Sequence, residues 1–327
     1  MKKFFCFILQ FCFFSTFIFA SEKIIFSITP VAGYTYGTIK EQWYADSKGN
    51  YSSLLEWDKH LWLCGFNSEL FYKTLKIKTG GTFFIPGACG YMQDSDWMNE
   101  NNLSMKTTYS TGVNYAIKNY DAFFSCAKSF SFLNFSKCFL LPEIAFNFKY
   151  DSFERLEAKG WYGQSTYSSD GLDHWWYDDE AKEFPYTYWS EEKNKYVTQK
   201  LSGISYTRKA YFLWLGINFD VEPTTFFRLN FCALVSPYSF MQVIDTHHGR
   251  ETSYKMNLNG FFTWGYFSLD AIINFSKVCA LKIKCSALAG KSSYGSVCIN
   301  NALYARNITG CSEYNITSYL GLSFFIK

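Results

Sequence analysis

The sequence predicts an all-β protein, a ten-stranded antiparallel transmembrane β-barrel with long extracellular loops. Three observations carry that expectation. Aromatic residues make up 21% of the 327 residues. Beyond the first twenty residues no apolar run is long enough to be a membrane helix: the best, Tyr211 to Phe219, is about half the necessary length. Finally, apolar and polar residues alternate with a period of two, in segments joined by short turns and long polar links in turn, the asymmetry of an outer-membrane barrel.

In chain order, residues 1–20 read as an export signal. Lys2 and Lys3 form its basic start, Phe4 to Phe19 its apolar stretch, and Ala20 is a small residue at the cut. Residues 21–327 read as one barrel. Loss of the two lysines lowers the formal charge from +3 to +1. That near-balance argues against a nucleic-acid partner, which calls for a basic excess.

Turn signals place strands near 24–45, 51–72, 75–93, 105–125, 137–163, 196–220, 225–243, 251–272, 277–297 and 313–327. The alternation is clearest in the last. Ile316, Leu320, Leu322, Phe324 and Ile326 share one face, and Asn315, Thr317, Tyr319, Gly321 and Ser323 the other. Lipid on one side and a wet lumen on the other would select that pattern. The eighth segment is read the same way, with Tyr254, Met256, Leu258, Phe262, Trp264 and Tyr266 on its apolar face. Val221-Glu222-Pro223-Thr224 is a tight turn. Long links fall at 46–50, 94–104, 164–195, 244–250 and 298–312.

Nine cysteines lie beyond residue 20 and none forms a Cys-x-x-Cys pair, so no zinc site is expected. Their strand-like positions beside aromatic residues suit a small apolar filler. His60, in the second strand, reads as a lumen-facing polar residue. The longest link holds Asp173-His174-Trp175-Trp176 and Asp178-Asp179-Glu180. It reads as a solvated acidic loop with an aromatic plug, whose charge would attract basic peptides.

Two patches carry chemistry. Asp94-Ser95-Asp96 and Asp245-Thr246-His247 each place two ionisable side chains two residues apart, on one face of an extended strand. Set opposite each other, a carboxylate pair would face a carboxylate–imidazole pair, and a water between them could be activated for hydrolysis.

With these patches on a predicted exported barrel, the chain resembles the omptin family of outer-membrane endopeptidases nearly end to end. Gly90-Tyr91-Met92-Gln93-Asp94-Ser95-Asp96-Trp97-Met98 is similar to the family's paired-aspartate segment, and Asp245-Thr246-His247 to its Asp-x-His segment. Gly37-Thr38-Ile39-Lys40-Glu41 resembles its first strand, Leu55-Glu56-Trp57 the start of its second, and Tyr314-Asn315 with Leu320-Gly321-Leu322 its last.

The resemblance implies a surface endopeptidase of the bacterial outer membrane, its active site facing the cell exterior, that cuts peptides near basic residues. Its catalytic set would be Asp94, Asp96, Asp245 and His247, with Glu41 in the pocket for a basic side chain. No metal and no other cofactor is implied; the partners would be basic peptides or proteins and outer-membrane lipid. Two departures stand out. The second acidic position of the family's pocket is Val243 here, so a guanidinium would face one carboxylate instead of two. The family's lipopolysaccharide-binding residues find no clear match near Tyr150 to Arg155, which leaves lipopolysaccharide dependence open. A non-enzymatic barrel, an adhesin or a channel, is the competing class, because fold does not fix function.

Overall fold

The structure, a computed structural model, describes residues 24–47, 49–99, 102–131, 137–167, 173–176, 182–190, 193, 195–199 and 203–326. The expected export signal and the Asp178-Asp179-Glu180 run lie outside the described residues. Among the described residues ten long antiparallel strands close into one ring. We number them β1 (Ile24–Tyr44), β2 (Tyr51–Asp58 continuing as Leu61–Tyr72), β3 (Leu75–Phe84 and Gly87–Asp96), β4 (Thr108–Ala116 and Asn119–Lys128) and β5 (Cys138–Arg155, extended by Lys159–Tyr162). The second half of the ring is β6 (Ile204–Val221), β7 (Phe227–His247), β8 (Thr252–Gly260 and Trp264–Asn274), β9 (Cys279–Ser292 and Tyr294–Ile299) and β10 (Thr309–Ile326). Each pairs with its neighbours in sequence, and β10 pairs with β1 along sixteen residue pairs from Phe26↔Ile326 to Trp43↔Thr309, which closes the cylinder. Closure leaves no strand edge unpaired, the condition for spanning lipid with strands.

Strands of up to 21 residues are about twice the ~9–11 residues that cross a bilayer. The outer wall shows where the surplus lies. On β1 the outward side chains Ile24, Ile28 and Tyr36 are apolar and exposed, whereas the next ones up, Thr38 and Lys40, are polar. On β6 exposed Leu213, Leu215 and Ile217 give way to Lys209, Thr207 and Ser205. An apolar belt therefore girdles the lower barrel, and its upper third rises above it.

Inside, ion pairs fill the barrel through the belt and at its upper edge. Arg208 of β6 bridges Asp151 of β5 and Glu313 of β10, both at 2.6 Å. Lys59 of β2 reaches Asp151 at 2.5 Å, and Lys149 reaches Glu313 at 3.0 Å. Below them a cavity of about 190 Å³ is lined by further pairs, among them Lys282 with Glu69 and Asp270, and Lys78 with Glu143. Above them packs an apolar layer of Ile39, Trp57, Met92, Phe153, Tyr206, Val243, Met256 and Leu258.

Three expectations are corrected. The face of β8 bearing Met256, Leu258 and Trp264 points inward, into that apolar layer, not toward lipid. Above the belt the outside is water, so polarity reverses: Lys255, Asn257 and Asn259 take the outer side. His60 faces out, stacked on Tyr36 with ring centroids 4.3 Å apart, because Lys59 before it and Leu61 after it are the inward pair. The sixth strand begins at Ile204; Lys195–Gln199 belongs instead to a separate hairpin with Tyr186–Ser190. In the long loop, Asp173–Trp176 pairs with Gln164–Tyr167. All nine cysteines from Cys64 onward are free thiols.

Removing one partner of a buried charge network strands the rest. Arg208→Ala leaves two buried carboxylates facing each other and should cost about 3–5 kcal/mol. Urea unfolding of the detergent-refolded barrel measures it; a loss below about 1 kcal/mol would show that the network is not holding the interior.

Candidate functional site

Two irregularities aim the ionisable couples inward. In β3 a bulge lies between Ala88 and Tyr91, with Gly90 at φ +113°. A side chain there would meet Asp58, whose Cβ would lie 2.4 Å from an added Cβ. Only glycine fits, and the extra residue lets Cys89 and Met92, three apart, both face inside. Asp94 and Asp96 continue from Met92 in phase. In β7 the register against β6 shifts where Val235 and Tyr238 pair with Leu215 and Leu213. Ser236 and Ser239 are both fully buried on either side of Pro237, which has no N–H to give to the ladder. Above that shift Met241, Val243, Asp245 and His247 face inward.

Both couples lie on strands, not in the loops that the turn signals suggested. β3 stays paired through Asp96↔Ser53 and β7 through His247↔Ile204. A row of paired residues runs from Cys311 through Glu41, Leu55 and Asp94 to Ser110, and another from Phe153 through Tyr206 and Asp245 to Tyr254. Three strands separate β3 from β7 around one side of the ring and five around the other, so the couples sit on facing walls above the belt.

His247 Nε2 and Asp245 Oδ2 are 2.8 Å apart. The carboxylate accepts, so Nε2 carries the hydrogen and Nδ1 keeps the basic lone pair. Asp245 is 1% exposed, and its Oδ1 has no protein hydrogen-bond partner. Burial works against a charged imidazole, but the hydrogen bond and charge of Asp245, with Asp94 adding from across the cleft, raise the pKa of His247 above its ordinary value. On the other wall, Thr108 donates to Asp96. Burial and then the charge of Asp96 push the Asp94 carboxyl up to about 7, against the pull of His247 and Arg155. Each couple thus sets the proton affinity of the other.

Glu41 is fully buried. Burial first, then the charge of Asp245, drives its carboxyl well above the usual range, opposed by a 3.0 Å hydrogen bond from Trp43 Nε1. Its second oxygen, Oε2, has no protein hydrogen-bond partner. Val243, Met92 and Met256, all 0% exposed, supply apolar walls nearby.

Four further residues of the site were not anticipated from the sequence. Trp43 lies two positions from Glu41, so the same-face rule would have found it. Tyr254 meets His247 edge-on, with centroids 5.5 Å apart, and Trp43 at 5.3 Å. Arg155 sits beneath Asp94, donating to Ser110 Oγ at 2.7 Å. Arg250 lies just beyond His247 in the β7–β8 loop. Nothing local in the sequence marks these last two. His248 is exposed and its backbone N–H donates to Gly203. Among the described residues no cluster of metal-binding side chains is present.

No family model matches the chain, and no curated protein matches it. Among solved structures it is similar to the outer membrane protease OmpT from Escherichia coli, with 16% identity over 94% of this chain and 99% of that one and a TM-score of 0.74. A major outer membrane protein from Thermus thermophilus (10% identity, 93% and 100% coverage) and Ail, the attachment invasion locus protein of Yersinia pestis (8%, 92% and 99%), both give a TM-score of 0.30. The likeness to OmpT establishes the fold, an outer-membrane β-barrel.

A carboxyl that titrates near 7 instead of its ordinary 3.8 holds its proton more tightly folded than unfolded. Stability is therefore lost as pH rises between those values, by about 4 kcal/mol at most. Asp94→Asn has no proton to lose. It should unfold at a higher temperature than wild type at pH 8, with the difference gone near pH 4; equal melting at both would refute the raised pKa.

Proposed function

We propose that the protein is an outer-membrane endopeptidase, its site facing the cell exterior, that hydrolyses peptide bonds near basic residues with an activated water. The observation that carries the reading is the convergence of Asp94 and Asp96 with Asp245 and His247 from facing walls, so close that each couple shifts the other's proton affinity. Water between them is held by the aspartate pair and loses its proton to Nδ1 of His247 as it attacks the peptide carbonyl. Asp245 fixes the imidazole tautomer and stabilises the imidazolium. The proton then passes to the departing amine. Asp94 holds its proton up to about 7, because burial and the adjacent Asp96 carboxylate resist its ionisation.

Glu41 supports the basic preference. Burial and the charge of Asp245 raise its carboxyl well above the usual range. A lysine or arginine side chain entering there supplies the missing cation. With Val243 in place of a second acid, the grip on arginine is weaker and the pocket's range broader. The ion pairs and apolar layer that fill the lumen speak against an open channel.

Asp96→Ala and His247→Ala should abolish cleavage of basic peptides while leaving the barrel's circular dichroism unchanged; a wild type that cuts nothing across a broad basic-peptide library would end the reading. Activity should rise with pH as His247 loses its proton, with a midpoint above the ordinary imidazole value. Asp245→Asn removes the interaction that raises it, so the residual activity should climb at lower pH. Profiling on a peptide library should show a relaxed subsite, sharpened toward arginine by Val243→Asp; a strict arginine requirement in wild type would contradict this.

A further inference from the structure

Only one oxygen of the Glu41 carboxylate is left open. Oε1 accepts the indole N–H of Trp43 at 3.0 Å, while Oε2 accepts from no protein group although the residue is fully buried. Trp43 follows Glu41 on the inward face of β1, and its backbone is fixed on both sides, opposite Ser53 of β2 and Thr309 of β10. The ring is held as well. Tyr254 of β8 meets it edge-on at 5.3 Å, and Tyr304 lies at 6.5 Å, on the strand Ala302–Arg306 that pairs with the end of β9. The indole cannot swing off the carboxylate without breaking those two ring contacts. Val243, Met92 and Met256 give apolar walls, so Oε2 is the acceptor left for an incoming cation.

A guanidinium and an ammonium make different demands on a carboxylate. The planar guanidinium takes both oxygens at once, through two parallel N–H···O bonds. The ammonium is a compact point charge whose donors rotate, and one oxygen serves it. With Oε1 occupied, the fork is spoiled and the point contact is not.

We propose that Trp43 determines which basic side chain the pocket favours, by holding one oxygen of Glu41 and leaving the other to a lysine ammonium. This rests on the reading of Glu41 as the acid of the substrate pocket, and it makes Trp43 a positioning residue that acts through Glu41. The same hydrogen bond favours the charged carboxylate, against burial and the charges of Asp245 and Asp94. Val243 and Trp43 thus work in one direction. The first leaves a single carboxylate in the pocket, and the second leaves half of that carboxylate free.

The experiment uses two synthetic peptides identical except for one lysine or arginine. Calorimetry measures their affinities for the detergent-refolded full barrel carrying His247→Ala, so that turnover does not enter. This protein should bind the lysine peptide at least as tightly as the arginine peptide. Adding Trp43→Phe, which keeps a ring but has no N–H, should shift the affinity ratio toward arginine by about tenfold, the scale of one hydrogen bond to a charged group. Trp43→Leu also lacks the donor and should shift it the same way. Affinity grows with pH as Glu41 ionises, and the midpoint should rise in both variants because the bond favouring the charged form is gone. In a Glu41→Gln background Trp43→Phe should leave the ratio alone, since coupled residues lose their separate effects. Four results overturn the proposal: a tenfold arginine preference with Trp43 intact, an unmoved ratio, a move toward lysine, or an equal move with Glu41→Gln in place. If wild type cuts basic peptides, those results leave the endopeptidase reading standing. A wild type that cuts nothing ends that reading, and the affinity ratio still decides the role of Trp43.

Discussion

Everything in this cleft depends on the phase of two strands. Side chains of a β-strand alternate with period two, so a slip of one residue moves every side chain above it to the opposite face. The last resets below the ionisable couples lie at Gly90 in β3, where the break after Phe84 has already shifted the phase once, and at Ser236-Pro237 in β7. Without the first, Asp94 and Asp96 would look outward. Without the second, Thr246 would look into the cleft and His247 away from it. The β3 device accepts one residue type only, since Asp58 fills the space a side chain would need and also takes the N–H of Tyr91 at 2.9 Å.

The interior is layered to match. Ion pairs occupy the belt level, where closure forces polar lumen side chains into a dry space and each charge requires a partner. The apolar layer from Ile39 to Leu258 caps them. Above it, Glu41, Asp94, Asp96 and Asp245 crowd together with less compensation, and two of them keep an oxygen without a protein partner. The lower layers pair acids with bases and hold the cylinder together. The upper layer is left short of cations, which is what lets a basic substrate bind and what raises the Glu41 and Asp94 carboxyls.

Much of this was legible in the sequence because period two is a local signal. All ten strands were placed, and the outward face of β10, Ile316 to Ile326, was read correctly. The reading of β8 failed for a physical reason: an apolar face means lipid only within the belt, and above it the same pattern means core. The bilayer boundary is not written in any one strand. His60 was misassigned because its direction is set by Lys59 and Leu61 pointing in, a fact of the closed ring. The same-face pairing of each couple was legible, but their approach across the lumen depends on ring closure.

Val243 fits this electrostatic picture. The position is fully buried, faces inward, and lies directly below Asp245 on the same face of β7. An acid there would be one more carboxylate in a space where Glu41 is already pushed up by burial and by Asp245. Like charges at short range in a low dielectric raise one another's proton affinity, so another acid would be partly protonated unless a cation were bound. Valine relieves that repulsion and packs into the apolar layer with Met92 and Met256. What it gives up is the second half of a fork for a planar guanidinium, which two carboxylates hold better than one. A single carboxylate suits the point charge of a lysine ammonium nearly as well. The substitution thus exchanges discrimination between the two basic side chains for a less strained resting pocket.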